Sequence, residues 1–112
     1  MSDQIKGQVE MIQAQIQELD QLVTQAAADL NAVRGLENVR KWKARTVRLI
    51  EERIDPTEAQ RFSVKGTGPV FANDLLDELS DEVEEYRTFL VSLIKDLQQR
   101  GKAGTGPDQP AR

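Results

Sequence analysis

The sequence predicts an all-α protein, an elongated three-helix bundle with two long heptad-patterned, coiled-coil-like helices and a short connecting helix. Three observations point there. Ile5, Val9, Ile12, Ile16, Leu19, Val23, Ala26, Leu30 and Val33 recur at alternating intervals of four and three residues. Ala72, Leu76, Leu79, Val83, Tyr86, Leu90, Leu93 and Leu97 keep the same rhythm towards the other end. Such spacing draws one apolar seam along a helix that lies lengthwise against another. The third observation is the balance of 38% hydrophobic to 30% charged residues. It suits an elongated bundle, whose surface is large relative to its core.

The first helix is expected over residues 3–34, with Ser2 or Asp3 able to cap it and Gly35 ending it as a left-handed cap. At 1.5 Å per residue it would run about 48 Å. Its outward positions are rich in glutamine (Gln4, Gln8, Gln13, Gln15, Gln17, Gln21, Gln25) rather than in paired Glu and Lys, so packing rather than charge would select its neighbour. A second helix over 36–54 carries an apolar stripe of Leu36, Val39, Trp42, Val47, Leu49, Ile50 and Ile54, with Thr46 inside it. Asp55-Pro56-Thr57-Glu58 then gives a strong start signal: a capping Asp, a first-turn Pro, and a Glu placed to reach back. That predicts a short helix over 56–62. The two glycines and one proline of residues 63–71 make a loop, with Val70 and Phe71 anchoring its far end. The last helix is expected over 73–100, with Leu75, Phe89 and Ile94 widening its seam, and Gly101 as its stop. Residues 1–100 thus form one bundle. Residues 101–112, poor in apolar side chains, are expected to be a disordered tail.

The first helix would overshoot the second by several turns. Its remaining seam (Ile5, Val9, Ile12, Ile16, Leu19 and Val23) then needs cover from another chain or from the far end of the last helix. Self-association into a homodimer or higher oligomer is the simpler expectation, because exposed apolar surface costs about 25 cal/mol per Å2.

Charge is segregated. Residues 34–48 hold Arg34, Arg40, Lys41, Lys43, Arg45 and Arg48 against Glu37, a local net of +5. Residues 74–85 hold seven acids and no Lys or Arg, a local net of −7. Arg34, Lys41, Arg45 and Arg48 form a basic face opposite the apolar stripe. Asp74, Glu78, Asp81 and Glu85 form an acidic face out of phase with the last seam. Two such faces suit charge-steered docking to another protein or another copy, and they equally suit plain solubility.

Other chemistries fare worse. With no His and no Cys there is no imidazole base, thiol nucleophile or usual zinc set, so no enzyme and no cofactor are expected. A Mg2+-dependent nucleotide hydrolase, like the helical pyrophosphatases, would need a second acidic pair facing Glu82 and Glu85. No helix supplies one. Lys65-Gly66-Thr67-Gly68-Pro69 lacks the residue order and the preceding strand of a phosphate loop. Nucleic acid is disfavoured by the overall charge of −4 and by a Trp42 that falls on the apolar stripe. The longest apolar run is too short to span a membrane, and no basic-then-apolar leader is evident, so cytoplasm is expected.

Residues 36 to 97 also carry a resemblance. Trp42-Lys43 and Arg45 in an amphipathic helix, a capped turn, Phe62, and a last helix with Tyr86, Leu90 and Leu93 look similar to a small helical module of bacterial antiphage defence proteins. Those modules sit beside nucleotide-sensing or Toll/interleukin-receptor-like effector domains. The match departs at Ile54-Asp55, where Phe-Gly would follow the Trp helix. The resemblance implies an adaptor, a sensor or an oligomerisation piece, and as an alternative function a regulatory subunit that binds nucleotide or nucleic acid through Arg34, Lys41, Arg45 and Arg48.

Overall fold

A computed structural model describes residues 2–66 and 75–105, with side chains over 3–66 and 79–100. The described residues form four α-helices and no strand: α1 (Ser2–Asp29), α2 (Ala32–Arg53), α3 (Pro56–Ser63) and α4 (Leu75–Thr105). No helix among the described residues is long and apolar enough to cross a membrane.

α1 stops five residues short of the expected end. Leu30 takes a left-handed conformation, φ 52°, and the Asn31 amide donates to the Ala26 carbonyl at 3.1 Å. The Asn31 side chain then caps α2 by accepting from the Arg34 amide at 3.0 Å. Leu30 and Val33, read as seam positions, are therefore 83% and 56% exposed. Gly35 is no cap either. It is buried in the first turns of α2, where a Cβ would lie 2.6 Å from the Ala26 Cβ. Its missing side chain is what lets α1 and α2 close together at this end.

Downstream the expected stripe of α2 is in place. Leu36, Val39, Trp42, Thr46 and Ile50 are buried, while Val47, Leu49 and Ile54 pack on the edge of the core. Gln8 closes the far end by donating to the Arg53 carbonyl at 2.7 Å. Asp55 caps α3 by accepting from the Glu58 amide at 2.8 Å, with Pro56 in the first turn. α4 runs on through Gly101 to Thr105, so Gly101 is not its stop and the expected tail is helical in its first five residues. Residues 106–112, Ala72, Asn73, Val70 and Phe71 lie outside the described residues.

Named contacts fix the directions. Gln8 with Arg53, Gln15 with Trp42, Glu18 with Arg45, and Ala26 with Gly35 set α1 and α2 antiparallel. Gly35 beside Leu79 and Trp42 beside Tyr86 set α2 parallel to α4. Asp20 with Arg87 completes the geometry, with α1 antiparallel to α4. Carried towards the start of α1, that register puts Val9 and Ile12 beside the stretch 94–98.

The last point corrects the seam. Val9, Ile12 and Leu19 are 8%, 0% and 0% exposed within the single chain, and Ile5, Ile16 and Val23 pack against the same core. The expected overshoot of several turns is absent, because α2 reaches back along α1 as far as Gln8, and α2 and α4 together cover the seam. The premise that a second chain must shelter this seam is gone.

Candidate docking groove and charged faces

Four aromatic rings hold α2, α3 and α4 together. Phe62 of α3 sits 5.9 Å from Trp42 edge-on, 5.6 Å from Tyr86 and 5.3 Å from Phe89. Trp42 lies 5.8 Å from Tyr86 and donates its indole N–H to the Gln15 carbonyl of α1 at 3.0 Å. Tyr86 donates to Glu82 at 2.5 Å. Its hydroxyl is pushed well above its usual pKa, first by burial and then by that carboxylate. Gly66, at φ 69°, lays the turn after α3 over the same ring, where a Cβ would meet the Tyr86 hydroxyl at 2.6 Å. Lys43 donates to the Lys65 carbonyl at 2.5 Å, with its ammonium 5.0 Å from the Tyr86 ring centre. Burial lowers its pKa, against the pull of Glu82 and Glu85. Trp42 is fully buried, so the basic helix presents no exposed stacking ring.

Beyond Phe62, α3 stands off from α4 and leaves an open groove of about 520 Å3. Phe89 and Leu93 lie in it, and Asp81, Glu84, Glu85 and Asp96 line its α4 side. Arg61 and Lys65 line the α3 side, each with its cationic end 5.9 Å from the Phe89 ring centre. At the closed end Glu58, whose side chain is 8% exposed, holds Arg61 at 3.3 Å and Arg100 at 3.4 Å. Rather than reaching back to its own helix start, Glu58 straps α3 to α4.

The predicted faces land as follows. Arg34, Lys41, Arg45 and Arg48 are all exposed along one edge of α2, and Arg45 pairs with Glu18 of α1 at 2.5 Å. Asp81 and Glu85 are exposed and line the groove. Asp74 and the Glu78 side chain lie outside the described residues. Because Arg45 turns towards α1 while the groove opens beside α3, the basic edge and the acidic wall are on different sides of the molecule. Sequence reasoning missed Glu58, Arg61, Lys65, Phe89 and Asp96 as groove residues. The signal for Asp96 was present: Asp81, Glu85, Ser92 and Asp96 lie on one stripe at helical spacing.

Among the described residues every buried side-chain polar atom has a hydrogen-bond partner, and no cluster of three or more carboxylates is set to hold a metal ion. Arg87 joins the outer faces of α1 and α4 by pairing with Asp20 and with Glu84, and its charge is held more firmly for it. No protein-family model matches the chain, and neither a curated protein nor a solved structure matches it. These comparisons lend no support to the resemblance to antiphage modules.

Proposed function

We propose that the chain is a non-catalytic helical protein–protein interaction module, a small adaptor or regulatory component that binds partners through its charged faces. In this reading the three long helices are an elongated frame, packed in the coiled-coil manner their heptads suggest, and α3 is a strut that shapes one binding face. The observation that carries it is the groove: an apolar floor of Phe89 and Leu93 bounded by unlike charges on its two walls, open to solvent on a well-packed core. Apolar contact inside a charged rim is the general anatomy of a protein-binding surface.

A photo-crosslinking residue placed in turn at Glu85, Lys41 and Gln98 tests this in the cell of origin. Discrete protein adducts at the first two positions and none at the third are expected. No adduct at Glu85 or Lys41, or the same smear at all three, overturns the reading.

The second reading, nucleotide or nucleic-acid binding through Arg34, Lys41, Arg45 and Arg48, has the exposure of those side chains in its favour. It ranks lower because Trp42 is spent in the core. Oligonucleotide binding with a steep salt slope would raise it.

A further inference from the structure

We propose that the carboxylate wall of the α3–α4 groove receives the basic edge of α2 from a second copy of this chain, head to tail. The inference rests on the reading of the chain as a binding module and names a partner for its groove.

Spacing carries it. Glu85 and Asp96 are eleven residues apart on one helix, as are Arg34 and Arg45 on the other. Each span is about 16 Å at 1.5 Å per residue, three turns, so each pair lies on one face. An incoming α2 laid antiparallel to α4 with Arg34 at Asp96 sets Arg45 at Glu85, and the same register brings Arg48 within one residue of Asp81. Among the described residues no ion pair engages Asp81, Glu85 or Asp96 on one side, nor Arg34 or Arg48 on the other, and the partner of Arg45 is the exposed Glu18. Arg61 and Lys65 on the α3 wall oppose a purely basic visitor. Glu37, the one acid between Arg34 and Arg48, shares their face of α2 and offsets that repulsion.

The two surfaces are different patches on different sides of the molecule. Each contact therefore leaves a free basic edge at one end of the pair and a free groove at the other, so association continues beyond two copies. It is steered by charge and weakens with salt.

Analytical ultracentrifugation of the full chain tests this at about 0.01 M and about 1 M ionic strength, where the screening length is about 30 Å and about 3 Å. The average mass is expected to rise with concentration at low salt and to return to the monomer value at high salt. Two neutralised variants give the decisive arm: Arg34→Gln/Arg45→Gln/Arg48→Gln, and Asp81→Asn/Glu85→Gln/Asp96→Asn. All six positions are exposed or at the groove rim, and circular dichroism checks that both variants fold. Each alone should associate at least about tenfold more weakly than the wild type. Mixed one to one, they should form a heterodimer and nothing larger, since only one intact edge and one intact groove remain. A wild type that stays monomeric at low salt, variants that associate like the wild type, or a mixture that fails to pair overturns the proposal. A monomeric wild type whose Glu85 position still crosslinks to a foreign protein removes the second copy as occupant and leaves the module reading standing.

Discussion

Gly35 of α2 faces Ala26 of α1 so closely that a Cβ on the glycine would sit 2.6 Å from the alanine methyl, with a Leu79 methyl at 3.1 Å. Neither neighbour is the far end of a long flexible side chain. Gly35→Ala gains about 1 kcal/mol of helix propensity, but overpacking a core contact costs about 1–3 kcal/mol. A net loss of up to about 2 kcal/mol is expected in urea unfolding, and adding Ala26→Gly should return part of it. A Gly35→Ala variant more stable than wild type would mean the helices separate there at no cost.

Leu30 presents the opposite case. It holds a left-handed backbone conformation with its side chain 83% exposed, so it carries strain and contributes no burial. The left-handed region costs a side-chain-bearing residue about 1–2 kcal/mol, offset in part by the extra freedom glycine brings to the unfolded chain. Leu30→Gly should stabilise the protein by about 0.5–1 kcal/mol, read as a higher denaturation midpoint at unchanged slope.

Tyr86 should give the protein an alkaline limit. Its folded pKa lies above its unfolded value, so the folded state holds the proton more tightly. The resulting stability is complete below about pH 10, the unfolded value, and is lost as pH rises from there towards the folded one. Tyr86→Phe removes the titrating group. Its stability should fall less steeply than that of the wild type between about pH 9 and pH 11, compared by thermal melts. Parallel slopes would show that Tyr86 does not set the limit.

Leu90 is wholly buried in the middle of α4. Leu90→Ala should cost about 2–5 kcal/mol, measured by denaturant unfolding. A cost below about half a kcal/mol would place that face of α4 away from the core.

The core was readable because burial follows period. Leu79, Val83, Tyr86, Leu90, Leu93 and Leu97, spaced four and three, are all buried as that spacing requires. The break after α1 was hidden by the same rule. Leu30 and Val33 continue the rhythm by position, and that coincidence outweighed the local capping signal of Asn31. Periodicity also says that a seam needs a cover without saying whose, and only the relative lengths and directions of α2 and α4 decide it. The groove was half legible. Asp81 and Glu85 came from charge spacing, whereas Glu58 is buried because Arg100 meets it from 42 positions away, a pairing no local pattern encodes.

The contact of α1 with α4 has a consequence for how the protein comes into being. α2 can cover one flank of the opening helix once it is made, but the flank that meets α4 stays uncovered until that last helix is complete. Synthesis adds about 5–20 residues per second, so for some seconds Val9 and Ile12 are covered by α2 alone, with their α4 side open to water or to whatever holds the nascent chain. Pairing between distant parts of a chain also slows folding relative to local hairpins. A ribosome-bound chain halted before residue 90 should hold α1 loosely, and release of the last turns of α4 should lock it in place.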